Sequence, residues 1–276
     1  MMRRRPTRFT RPLASALVAI PVATALLGPF VARYAPAAPQ APFGPSDWSC
    51  FGTDRLGRDV LAAVLTGGRP MLLTVVLTVA AAYAAGFVLG IVAAAARRPW
   101  MEDAIMRPID VLLCLPVLLV VMVAALRSDG SGLAIAVAVG FMLVAPITRF
   151  VRMAARRVVQ SPAMEALRMQ GATAGERYIG YALRHLARPV VADVGVRLMA
   201  AIYVLASANF LGIGFDTTST DWAVSVAANK DGLSTAPWSV YLPATLIVSL
   251  VLGLNLFCDA ILADPTRRDL LRTHRD

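Results

Sequence analysis

Few side chains in this sequence are suited to covalent or proton chemistry, and their spacing decides against most of it. Its 276 residues include a single lysine, Lys230, and two histidines, His185 and His274. Lys230 lies in "NKDG" and not in a Gly-Lys-Ser/Thr ending, so no phosphate-cradling loop is present and the chain cannot be its own ATP-driven motor. No serine, threonine or cysteine has a histidine at a spacing that would make a nucleophile and its base. The histidines are far apart in sequence and read as surface or interface residues, not metal ligands. Two charged pairs remain inside apolar runs. Arg107 and Asp110 stand about one helical turn apart, as do Asp193 and Arg197, so each pair can offset its own charge as an anchor or contribute to lining a pathway. Neither extends into a proton relay of the kind that marks pumps.

The elements that must carry these residues are apolar. Hydrophobic residues make up 58% and charged residues 16% of the chain, and its mean hydropathy is +0.65, far from the soluble norm. Runs long enough to cross about 30 Å of hydrocarbon as helices predict six spans. They are Leu13 to Val31, Met71 to Ala95, Ile105 to Leu126, Leu133 to Ile147, Val190 to Ile213 and Val240 to Leu262. The fourth is short and would need Phe150 and Val151. A cleaved signal peptide is the rival reading of the first, but the run is longer than a usual signal core and its removal would leave five spans.

Basic residues fix the expected orientation. With the N-terminus cytoplasmic, only Arg33, Arg55, Arg58, Arg69, Arg127 and Lys230 of the 27 Lys+Arg fall outside, and both termini are inside. The net charge of +10 is then a cytoplasmic excess and not a nucleic-acid stripe. Cys50 alone of the three cysteines faces outside, Cys114 being mid-span and Cys258 at an inner end, so no intrachain disulfide framework is expected.

One polar stretch stands apart, "SPAMEALRMQGATAGERYIGYALRHLARP" from Ser161 to Pro189. Ser161 is a good N-cap, with Pro162 at the first helical position and Glu165 near the first turn. Gly171 ends this short helix as a left-handed residue. Thr173 and Glu176 have the spacing of a capping box for a second helix, which Pro189 closes as the fifth span begins. Two roles stay open on these residues alone. The pair could lie on the headgroups, with Arg168, Arg177, Arg184 and Arg188 on anionic lipid, or the short helix could dock into a cytoplasmic partner.

The segment "EALRMQGAT" (Glu165 to Thr173) resembles the EAA signature of ABC importer permeases, with Leu167 in place of the second alanine. "FGTDRLGRDVLAAVLTGGRP" (Phe51 to Pro70) resembles the "GTD..GRD" block of C-type permeases of the dipeptide, oligopeptide and nickel importers. "FLGIG" (Phe210 to Gly214), "DWAVSVAANKDGLSTAPW" (Asp221 to Trp238) and "N.....ADP" (Asn255 to Pro265) are similar to later blocks of that family, in its order. The chain departs from it at "HLARP" (His185 to Pro189), where the family reads "HILPN", and at Leu205, where an acid often precedes "FLG".

The resemblance implies an all-α, polytopic type I importer permease fold with about six transmembrane helices. Residues 1–70 would hold the cytoplasmic N-terminus, first span and outside loop, 71–262 the permease core with a coupling helix at about 161–171, and 263–276 a cytoplasmic tail. It implies that Glu165, Ala166, Leu167, Gly171 and Ala172 couple to an ATPase, with Arg149, Arg152, Arg156 and Arg157 flanking them or serving as positive-inside anchors. Gly52, Thr53, Asp54, Gly57, Arg58 and Asp59 would form a compact outside turn, in which Asp54 and Asp59 cap a helix or pair with Arg58, direct contact with the binding protein being the alternative. Trp222 and Trp238 bracket the last outside loop as interfacial residues. The implied partners are a second permease in a heterodimer, two cytoplasmic ATPases that bind ATP and magnesium, an extracytoplasmic solute-binding protein and membrane lipid. No cofactor, metal or nucleic acid belongs to this chain, and it is not an enzyme. Its cargo would be short peptides, or nickel or a metal chelate. A stand-alone facilitator and a lipid-sensing scaffold are the other classes open.

Overall fold

Apolar helix formers dominate the chain, and helices satisfy backbone polar groups within one segment, as hydrocarbon requires. A computed structural model describes residues 10–35, 39–96, 98–128, 130–211 and 219–262. Among these, the α-helices are α1 (Thr10–Ala32), α2 (Val60–Ala95), α3 (Pro99–Cys114), α4 (Val117–Arg127), α5 (Gly132–Val159), α6 (Pro162–Met169), α7 (Leu183–Phe210), α8 (Trp222–Ala228) and α9 (Trp238–Leu262). Five carry stretches long and apolar enough to cross a membrane, at Pro12–Ala32, Val60–Ala95, Gly132–Val159, Pro189–Phe210 and Trp238–Cys258.

The expected third span differs from its prediction. It is broken into α3 and α4, which meet at 86° and count as a sixth span only when taken together. Leu115 and Pro116 are extended at the break, because the residue before a proline is pushed out of the helical region. The fourth span is longer than predicted. It continues through Arg149 to Val159 as a 28-residue helix of about 42 Å. Pro189 does not close a helix before the fifth span but lies inside α7. A π-helical turn, Glu176–Ala182, leads directly into α7, so its local chemistry marks a change of helical pitch and not a stop. The fifth span's end at Ile213 and the tail from residue 263 lie outside the described residues.

The chain divides into two compact units, Met1–Pro70 with Thr220–Asp276, and Met71–Ser219. In the first, α1 and α9 approach backbone to backbone. Ser249 Oγ donates to Leu17 O at 2.9 Å, and a Cβ at Gly253 would fall 2.9 Å from the Leu17 carbonyl carbon. In the second, α3, α4 and α7 pack on α5. Ala93, Met106, Ile109 and Ala145 form one apolar cluster, and Ala94, Ala155 and Leu186 another.

Gly86 and Gly90 carry α2 against α5. A Cβ at Gly86 would lie 2.7 Å from Ile147 Cγ2, and one at Gly90 2.7 Å from Val151 Cβ and 2.9 Å from Thr148 O. Small residues four apart permit this approach where association relies on packing and not on water exclusion. Gly90→Leu is expected to destabilise the fold by on the order of 2 kcal/mol through overpacking. Thermal unfolding in detergent measures it, with Val88→Leu, on an exposed position of the same helix, as the control that leaves the midpoint unchanged.

Candidate functional site

Helix α6 is a short exposed projection with both ends chemically closed. Ser161 Oγ accepts from Met164 N at 3.3 Å, and Pro162 occupies the first turn. At the other end Gly171 has φ +78°. Gly171 N donates to Arg168 O at 3.1 Å and Ala172 N to Leu167 O at 3.0 Å, the paired bonds of a Schellman motif. Met164 is buried and anchors the helix, whereas Glu165, Ala166, Met169 and Gly171 are exposed and Leu167 and Ala172 half-buried. Glu165 and Arg168 are 3.9 Å apart on that exposed face.

The capping box beyond it also forms. Thr173 N donates to Glu176 Oε2 at 2.7 Å, and Glu176 N donates back to Thr173 Oγ1 at 3.3 Å. The Thr173 N–H, and then its hydroxyl, hold the Glu176 carboxyl below its ordinary range. Along the following π turn and α7, Tyr181 O accepts from His185 Nδ1 at 2.9 Å, which leaves His185 exposed and in a backbone contact. His274 lies outside the described residues.

The residues of the "GTD..GRD" block make one hydrogen-bonded knot. Thr53 is fully buried, and its hydroxyl donates to Ala41 O at 2.6 Å and accepts from Gly44 N at 2.9 Å. Asp54 Oδ1 accepts from the N–H groups of Leu56 and Arg58, each at 2.8 Å. Asp59 caps α2 through Ala62 N at 2.9 Å, while Ser46 and Ser49 hydroxyls donate to its other oxygen. Gly52 and Gly57 have φ +76° and +72°, and a Cβ at Gly57 would fall 2.1 Å from Gln40 O. The carboxylates of this knot therefore shape the turn and start the helix.

The same unit brings the later loop block to this knot. Arg55 N donates to Asn229 Oδ1 at 2.9 Å, and Phe51 meets Trp238 edge to face at 5.7 Å. Trp238 is 47% exposed, but Trp222 is 0% exposed. Trp222 is thus a core residue and not an interfacial one, its Nε1 donating to Val64 O at 2.7 Å. Its indole needs a hydrogen-bond partner once buried, and the first turns of α2 supply one. Cys50 and Cys114 are exposed and Cys258 is buried. Gly212, Ile213, Gly214, Asp264 and Pro265 of the remaining blocks lie outside the described residues.

Charge pairing in the second unit differs from the sequence reading in its partners. Arg107 bonds Asp103 at 3.0 Å and not Asp110, because Asp103 is its i−4 neighbour. Asp110 lies 3.9 Å from Arg149. Arg152 and Arg156 of α5 converge on Glu102. The Asp193–Arg197 pair forms as spaced, at 2.9 and 3.0 Å, and Tyr83 adds a hydroxyl to Asp193 at 2.5 Å. Sequence reasoning did not single out Glu102 or Tyr83. A lone tyrosine in "AAAYAAG" and an acid three residues after "RRP" were the only signals of them.

Helices long and apolar enough to cross a membrane, joined by short polar elements, define a multi-pass membrane protein. Comparison with known proteins specifies which. The family model of the binding-protein-dependent transport system inner membrane component matches residues 86–263, and the chain belongs to that family of multi-pass inner-membrane permeases. A di/tripeptide transport system permease of Pseudomonas aeruginosa is 29% identical over 247 residues, 86% of this chain and 81% of that one. A dipeptide transport system permease of Alkalihalophilus pseudofirmus is 27% identical, over 79% of this chain and 71% of its own. A glutathione transport system permease of Pectobacterium atrosepticum is 30% identical, over 79% and 72%.

Asp221, the N-cap of α8, is 5% exposed and accepts from Ala223 N at 2.8 Å. Burial pushes its carboxyl up to about 6, against the N–H bonds of Ala223 and Val224 that favour the charged form. A raised native pKa contributes stability below pH about 4 that is lost as pH rises through about 6. Asp221→Asn keeps a capping acceptor without the charge. It is expected to remove that decline, worth up to about 3 kcal/mol, in unfolding curves compared between pH 4 and 7.

Proposed function

We propose that this permease imports short peptides as one half of a two-permease pathway driven by two cytoplasmic ATPases. The peptide names of its relatives support the cargo class, and an extracytoplasmic binding protein would select the cargo. Helix α6 carries the reading. It is a small, doubly capped helix, exposed on one side and anchored by Met164 on the other, at the end of a helix long enough to cross the membrane. Such a knob suits a cleft in a moving partner better than a headgroup surface, because its exposed face mixes Ala166 and Met169 with the opposed charges of Glu165 and Arg168.

Glu165, Ala166, Leu167, Gly171 and Ala172 are assigned to that contact. The arginine distribution supports cytoplasmic termini and a cytoplasmic α6, with the Gly52–Asp59 knot on the opposite side facing the binding protein. ATP and magnesium belong to the ATPases. Closure of those subunits would favour one of two arrangements of the spans, and the difference in contacts at α6 between the arrangements is the coupling free energy.

Co-expression with candidate partner genes, purification in mild detergent and uptake by proteoliposomes test the assignment. The ATPases and second permease are expected to co-purify; a lone chain that moves peptide without ATP would refute it. Gly171→Pro cannot adopt the φ of +78° required here, and Glu165→Arg reverses the exposed charge. Both are expected to insert normally and to lower uptake by about tenfold or more while ATP hydrolysis continues.

A further inference from the structure

Only Gln160 and Ser161 separate α5 from α6, so whatever α6 feels is delivered to the last turns of α5. Those turns carry Arg149, Arg152 and Arg156 at i, i+3 and i+7, on one face. α3 packs there. Glu102, in its first turn, accepts from Arg152 Nε at 2.6 Å and from Arg152 Nη2, and Arg156 Nη1 is 3.4 Å from the same oxygen. The Glu102 side chain is 19% exposed and that of Arg152 26%, so water screens the pair only in part. Asp110 meets Arg149 two turns farther along α3. Met106 and Ile109 of α3 pack with Ala145, one turn N-terminal to Arg149 on α5. At its far end α3 turns by 86° into α4.

We infer that Glu102 is a positioning residue of the transport cycle, joining α3 to α5 so that displacement of α6 reaches the bent α3–α4 pair. The inference rests on α6 being the coupling helix. Without the Glu102 charge, Arg152 and Arg156 face each other one turn apart with no counter-ion among the described residues, and like charges at that spacing repel. The Arg149–Asp110 contact and the apolar cluster then remain between α3 and α5, and displacement of α6 passes to α3 less directly. The arginines that flank α6 in sequence serve this joint, since two of them are spent on Glu102 and a third on Asp110.

The test uses the whole complex in proteoliposomes, with a labelled mixture of alanine di-, tri- and tetrapeptides as probe. Uptake and ATP hydrolysis are read together. Glu102→Gln is expected to lower peptide moved per ATP by about tenfold, within the usual size of a coupling between sites, with hydrolysis retained. Glu102→Asp is expected to fall between Gln and wild type. The exchange Glu102→Arg with Arg152→Glu is expected to restore the ratio, a rescue that loss of folding would not show. A wild-type ratio in Glu102→Gln, or an assembled exchange variant that stays uncoupled, overturns the inference. Should Glu102→Gln fail to assemble, the Asp and exchange variants decide it in the same way. Gly171→Pro runs beside them. If it uncouples and Glu102→Gln does not, only the role of Glu102 falls; if neither uncouples, the coupling reading of α6 falls with it.

Discussion

A helix that begins among alanines and valines and ends among arginines must dispose of charge as it leaves the apolar layer, and α5 depends on Glu102 to do so. Two guanidiniums without a counter-ion on a half-buried face would cost more than helix propensity returns. With one carboxylate between them, the helix continues past the predicted end of its span, and α6 follows after two residues. Glycine contacts set the other side of the same rod. Gly86 and Gly90 let α2 approach Ile147 and Val151 closely, and those residues flank Thr148, Arg149 and Arg152. Close packing on one face and ion pairing on another hold α5 in a single register.

The loop residues of the first unit follow a different logic. Two blocks separated by about 170 residues of chain converge, since Arg55 N reaches Asn229 and Phe51 reaches Trp238. Burial of Thr53, Asp54 and Asp59 is tolerable because backbone N–H groups and serine hydroxyls satisfy their oxygens. The result is a loop whose backbone is fixed by its own polar side chains.

Much of this was legible in the residues. Ser161, Pro162, Gly171, Thr173 and Glu176 state local rules that no tertiary contact overrides, so both caps and the glycine turn form where the spacing puts them. The Asp193–Arg197 pair is local as well. What the sequence could not reveal depended on choosing among partners. Arg107 had Asp103 and Asp110 within one turn on either side, and Arg152 found its acid 50 residues away. Trp222 reads as a boundary residue by type, yet a carbonyl at Val64 makes its burial favourable. Pro116 breaks its helix while Pro189 does not, because neighbours and the preceding residue decide whether the lost N–H is absorbed.

The corner between α3 and α4 has a further implication for solvation. Leu112 O accepts from Leu115 N at 3.2 Å, but the other carbonyls at the end of α3 have no helical turn after them and the amides at the start of α4 have none before them, while Cys114, Leu115 and Pro116 are exposed. Acyl chains offer nothing to such dipoles. The corner therefore belongs where water molecules or a neighbour's polar groups can reach it.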